Sequence, residues 1–245
     1  MLGATHDQLP TPVNLARWNV AGSDKCRAVG CSAKGTLAHV LSNCGQSLSK
    51  YTWRLNQVLA VLEKAALELC EEACGGVSGV VPNCSIEFVN AGMKVYPKRT
   101  IAARSGLAPS TNWVVQSDLG RFVFPTDIVT TAQRPDMLVL SRSLKTILLV
   151  ELTVPWEENM EWAHERKLLR YEQLAQDCKS KGWRCDVFAV EVRCRGFVGK
   201  STVNLLKRLG SDGRSLRSII KELARRAERC SAWIWNSCMS DGRTG

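Results

Sequence analysis

No uncharged apolar run of about eighteen residues occurs in the sequence, so nothing in it reads as a membrane span. It also lacks the basic stretch followed by an apolar one that marks a secretory signal. Without an export signal, the eleven cysteines, an odd number, read as thiols or metal ligands in a reducing compartment. The expectation is an intracellular protein, nuclear in a eukaryote. Acidic residues are few and become fewer along the chain: 23 Asp and Glu face 33 Lys and Arg overall, but only 4 face 12 from residue 193 onward. A charge of +10 suits a polyanionic partner, and a merely solvated basic helix would look the same. No Tyr-Ala-Asp-Asp-like polymerase motif is present.

What is present suffices for a folded protein. In 245 residues, 45% are hydrophobic and 23% charged, enough for one good core plus a small appendage or for two modest domains. The chain divides into a loose polar leader (1–16), a cysteine-rich segment (17–50) and a main domain (51–245).

The chemistry concentrates between Arg134-Pro135-Asp136 and Val150-Glu151-Leu152-Thr153. Fourteen residues separate Asp136 from Glu151, room for strand, turn and strand. Period two over Ile147 to Val154 puts Leu148, Val150, Leu152 and Val154 on one face, and Ile147, Leu149, Glu151 and Thr153 on the other. Glu151 thus interrupts an apolar strand. A carboxylate buried there costs several kcal/mol unless cations or donors compensate. A divalent metal shared with Asp136 would do so, although acidic residues at strand ends are common without one. From Glu157 to Ser180 a helical stripe runs Met160, His164, Lys167, Tyr171, Leu174 or Ala175, and Cys178. Lys167 is a cation inside that stripe, either functional or a lysine snorkelling to solvent.

Pro-Asp, Glu-x-Thr and then Lys-x-x-x-Tyr on the next helix resemble the PD-(D/E)XK restriction-like nucleases. The run Val150 to Glu158, with Glu165-Arg166-Lys167 and Tyr171, is similar to the endonuclease region at the C-terminal end of some non-LTR retrotransposon polyproteins. The resemblance covers residues 20 to 237 and is sharpest over 134 to 171. It implies an α/β fold with a restriction-endonuclease-like αβββαβ core, a small N-terminal zinc knuckle and a C-terminal basic helix. It further implies a magnesium-dependent DNA endonuclease, with Asp136 and Glu151 holding Mg2+, Lys167 and Tyr171 assisting, and a reverse transcriptase in the parent polyprotein. Thr153 stands where the usual lysine would, facing as Glu151 does, and Lys167 would supply that charge. The alternative is an inactive nucleic-acid-binding zinc protein derived from such an element.

Ahead of this domain, Cys26-x4-Cys31-x7-His39-x4-Cys44 places three thiols and an imidazole within nineteen residues. Ligand number and softness suit tetrahedral structural Zn2+, with Gly30 and Gly35 allowing tight turns. Buried free cysteines beside a surface His39 are the other reading. The spacing resembles the knuckle preceding such endonucleases, except that the first interval is four residues. A helix is predicted over Tyr51 to Cys74, with Leu55, Val58 or Leu59, Leu62, Ala66 and Leu69 or Cys70 inward. Its Cys70 and Cys74, with Cys84, form a weaker metal candidate.

Ile86 to Val89 is a short strand candidate, and Lys94, Lys98, Arg99 and Arg104 are channel or loop charges. Trp113 to Gln116 and Phe122 to Phe124 are expected to form a hairpin, with Asp118 or Asp127 as a possible third carboxylate. Arg184 to Val192 reads as a strand. The following Cys194 to Ser201 nearly spells a phosphate-binding loop, but its first glycine is Cys194. Leu216 to Trp235 reads as a helix with Trp233 and Trp235 docked on the core. Its Arg217, Lys221, Arg225 and Arg226 are candidates for phosphate contacts to DNA, or to RNA.

Overall fold

The computed structural model describes residues 8–75, 106–108, 112–120, 122–156 and 160–240, without the side chains of 160–168 and 240. The possible strand at 86–89, Cys84 and the cations at 94–104 lie outside the described residues.

Among the described residues, five α-helices and four strands make a mixed α/β fold. Helix α1 (Pro12–Arg17) and helix α2 (Leu48–Gly75) precede β1 (Trp113–Ser117), β2 (Met137–Ser141) and β3 (Thr146–Thr153). Helix α3 (Met160–Ser180), β4 (Arg184–Glu191), α4 (Lys200–Leu209) and α5 (Gly213–Ser240) follow. The sheet runs β1-β2-β3-β4, antiparallel at the first two pairings and parallel at the last. Strand β3 is continuously apolar from Ile147 to Val150, where both faces are covered. Leu148, Val150 and Leu152 pack with Val58, Leu62 and Ala66 of α2 and with residues of α4 and α5. Ile147 and Leu149 turn the other way, against Tyr171, Leu174 and Cys178 of α3. The period-two division expected of β3 is the one observed.

Three expectations are corrected. The leader is not loose throughout: Thr11 caps α1 by accepting from the Asn14 N–H at 3.1 Å, and Thr11 and Asn14 are buried. The hairpin of Trp113–Gln116 with Phe122–Phe124 does not form. β1 pairs with β2 instead and runs into a 3-10 turn at Asp118–Gly120, while Phe124 packs into the α3-side core. At the C-terminus Trp235 is buried as expected, but Trp233 is 50% exposed.

One core residue carries no apolar signal. Arg54 is 2% exposed, donating to Ser231 Oγ on α5 and to the Val154 carbonyl at the exit of β3, both at 3.1 Å. Its guanidinium lies 5.4 Å from the Tyr51 ring centre, and its Nε has no hydrogen-bond partner among the described residues. Burial lowers its pKa, which reflects the cost of keeping a cation there. Arg54→Ala leaves a cavity and an orphaned carbonyl, so a loss of about 3 kcal/mol in chemical denaturation is expected. Arg54→Met, which refills the volume, is expected to recover more than half of it.

Candidate metal and carboxylate sites

The zinc candidate is built on a short hairpin. Lys25 and Lys34 form a β-bridge, the Cys26 N–H donates to the Ala33 carbonyl at 2.8 Å, and the Gly35 N–H donates to that of Asp24 at 2.8 Å. Gly30, at φ +79°, turns the chain between the first two cysteines, which is how a four-residue interval is accommodated. Gly35 lies so close to Pro12 of α1 that an added Cβ would meet the proline Cγ at 2.6 Å. His39 begins a π-helical turn (His39–Asn43), and Cys44 follows it. The Tyr51 hydroxyl braces that turn, donating to the Val40 carbonyl at 2.8 Å and accepting from the Cys44 N–H at 3.1 Å.

The ligating atoms of Cys26, Cys31, His39 and Cys44 all lie within 4.8 Å of one another. Cys26 Sγ and Cys44 Sγ are 4.0 Å apart, and Cys31 Sγ is 3.3 Å from His39 Nε2. Tetrahedral zinc with bonds near 2.3 Å to sulfur requires sulfur–sulfur separations of about 3.7 Å. Set and spacing therefore fit a zinc ion. Burial pushes the Cys26 thiol up to about 11 and lowers His39, keeping the imidazole neutral and free to ligate. The Cys70 and Cys74 candidate does not join a cluster among the described residues. Cys70 packs in the α2-side core, where burial pushes its thiol up to about 12.

The two carboxylates stand at one end of the β2–β3 ladder. Met137 with Val150 is the last pair of that ladder, so Asp136 lies just before it in the chain and Glu151 just after. Glu151 is 5% exposed. The Tyr171 hydroxyl lies 3.0 Å from its Oε2 and 2.9 Å from the Arg134 carbonyl, so one proton serves two acceptors. Burial, and then the nearby Glu151 charge, push this hydroxyl up, so it stays a donor at neutral pH. Arg170 Nη1 approaches Glu151 Oε1 at 3.7 Å from the exposed side. Asp136 Oδ2 accepts the Leu152 N–H at 2.6 Å, binding the loop before β2 to the end of β3.

No protein-family model matches the chain, and no curated protein matches it.

The remaining expected residues divide. Thr153, on the Glu151 face, donates its hydroxyl to the Val190 carbonyl at 3.2 Å. Lys167 stands one turn before Tyr171 in α3, and its side chain lies outside the described ones. Asp118 extends the row: its N–H donates to the Asp136 carbonyl at 2.9 Å, but its carboxylate is ion-paired with Arg134. Asp127 pairs with Arg142 on the β2–β3 turn, at the other end of β2. Among the described residues only the Cys/His set brings three or more ligating groups together. Arg217, Lys221 and Arg225 are exposed on α5, whereas Arg226 is half-buried, donating to Gln57 at 3.1 Å and pairing with Glu222 at 3.6 Å. Helix α5 packs on the sheet face opposite α3, so these cations do not flank the carboxylates.

Proposed function

We propose that the protein is a metal-dependent DNA endonuclease with a restriction-like core, as the resemblance of residues 134 to 171 implies. The observation carrying this reading is the approach of both carboxylates to the end of β3: Asp136 accepts the Leu152 N–H beside the buried Glu151, and the Tyr171 hydroxyl bonded to Glu151 is also influenced by the Asp136 charge. Among the described residues, the order helix, three strands, helix, strand from α2 through β4 supports an αβββαβ core. Asp136 and Glu151 would hold one or two magnesium ions, which when bound lower the pKa of a water and neutralise phosphate charge. Tyr171 holds Glu151 in place by donating to Oε2. Arg170, at the exposed rim, offers a cation to a phosphate, and Lys167 is the second candidate for that part. The Cys/His site would hold structural zinc, since four protein ligands leave no open position.

A second reading, a non-catalytic nucleic-acid-binding zinc protein, is favoured by three contacts. Arg170 already offsets the Glu151 charge, Arg134 occupies Asp118, and Thr153 is committed to the neighbouring strand. Supercoiled plasmid with magnesium tests the choice. Nicking by the wild type, lost in Asp136→Ala and Glu151→Ala, supports the nuclease. Nicking unchanged by those substitutions overturns it, and salt-sensitive binding without nicking establishes the second reading.

A further inference from the structure

Helices α2 and α5 pack antiparallel, with Gln57 against Arg226, Arg54 against Ser231 and Lys50 against Cys238. On the outer side of this seam Trp53 and Trp233 stand together, ring centres 4.7 Å apart and tilted by 48°. They are 38% and 50% exposed. An aromatic pair in water forgoes burial worth kcal/mol, and the core below is already filled by Ile234, Trp235 and Leu59 without it. Packing among the described residues therefore does not account for two tryptophans at this surface.

Their surroundings are basic. Arg226, Arg229 and Trp233 stand at i, i+3 and i+7 on one face of α5, and Lys50 is one turn before Trp53 on α2. Lys50 Nζ is 3.7 Å from Cys238 Sγ, and Cys238 lines a narrow cleft with Arg27 and Cys44 of the zinc hairpin. A strip of cations thus runs from the hairpin to Arg226, with the tryptophans in its middle. The helical part alone, positions 226 to 238, spans about 18 Å. Glu222, bonded to Arg226, is the acidic residue on that face of α5.

We infer that this seam binds single-stranded nucleic acid, the Trp53–Trp233 pair stacking unpaired bases while Arg229, Arg226, Lys50 and Arg27 follow the backbone phosphates. Flat π-faces between cations are how such strands are held without sequence preference, and a paired base offers no such face. A second copy of this chain is a poor occupant, because two +10 molecules would meet along like-charged strips. The seam lies on the sheet face opposite Glu151, so this site stands apart from the carboxylate pair and does not depend on hydrolysis.

Fluorescence anisotropy with a labelled single strand of about 12 nucleotides, in low salt without magnesium, is the test. Trp53→Ala and Trp233→Ala are each expected to weaken binding about tenfold or more, while Trp233→Phe keeps most of it. Trp18→Ala, at another exposed tryptophan, controls for general effects, and thermal melting confirms that each variant folds. Duplex of the same length should change by less than about threefold. The inference is overturned if the wild type fails to bind the strand, if both alanine variants bind like the wild type, or if duplex binding falls equally. Sedimentation showing a dimer that Trp233→Ala dissolves would overturn it in favour of self-association. Loss of nicking in Asp136→Ala with single-strand binding intact separates this site from the carboxylate pair.

Discussion

Cys44→Ser is expected to abolish metal binding at the Cys/His set and, with it, to unfold the hairpin and turn from residues 24 to 44. Its thiol is one of four groups held within 4.8 Å, in a segment whose backbone is tied by few hydrogen bonds. Its apolar residues, Leu37, Val40 and Leu41, form a small cluster with Ile234 and Trp235 of α5. Such a segment cannot hold itself together by burial alone, and structural zinc contributes an apparent 10–16 kcal/mol in small domains, about an order more than one hydrogen bond. Elemental analysis should find about one zinc per wild-type chain and a small fraction of that in the variant. Limited proteolysis should then cut between residues 24 and 44 while the sheet stays protected. Full metal content in Cys44→Ser would show that these thiols are not its ligands.

Tyr51→Phe is the milder form of the same test. It removes the acceptor of the Cys44 N–H and the donor to the Val40 carbonyl, leaving the ligands untouched. A loss of about tenfold in zinc affinity is expected, the size typical of groups that orient a ligand. The pH dependence has a definite sign. Thiols must lose protons to bind, and burial raises the Cys26 thiol, so affinity should fall as pH falls. His39, lowered by burial, adds no proton competition near neutrality.

Periodic signals carried the sheet and its covering helices, because a buried strand and an amphipathic helix write their faces directly into the order of apolar residues. Glu151 and Lys167 were legible as breaks in such patterns, and the Cys/His set as a ligand count. What was not legible depended on partners distant in sequence. β1 pairs with β2 across a loop, a choice made by the register Trp113 to Ser141 that no local turn signal announces. Arg54 reads as an ordinary polar position, and only Ser231 and the Val154 carbonyl, 177 and 100 residues away, make it a core residue. The exposure of Trp233 was missed because a tryptophan beside an apolar stripe normally turns inward. The arginines of α5 read as phosphate contacts, yet the face on which a helix packs is settled by topology rather than by its charge.

Glu151→Leu should separate function from stability at the carboxylate pair. A carboxylate kept for structure destabilises the fold when it is removed, whereas one kept for chemistry at the expense of the core stabilises it. Glu151 lies on a strand whose other inward residues are aliphatic, 5% exposed, with its cationic partner Arg170 on the solvent side. Tyr171 keeps an acceptor without it, because the Arg134 carbonyl is 2.9 Å away. Leucine at 151 would continue the apolar row of Ile147 and Leu149 toward α3. We expect a gain of about 1 kcal/mol, or roughly 2–4 °C in Tm for a chain of this size. Nicking should fall by about a thousandfold or more, the scale of several kcal/mol of lost charge stabilisation. Asp136→Asn should lose activity comparably while keeping stability within about 1 kcal/mol, since the amide oxygen can still accept the Leu152 N–H. A Glu151→Leu protein that melts several degrees lower would mark the carboxylate as part of the fold, and the nuclease reading would lose its main physical support.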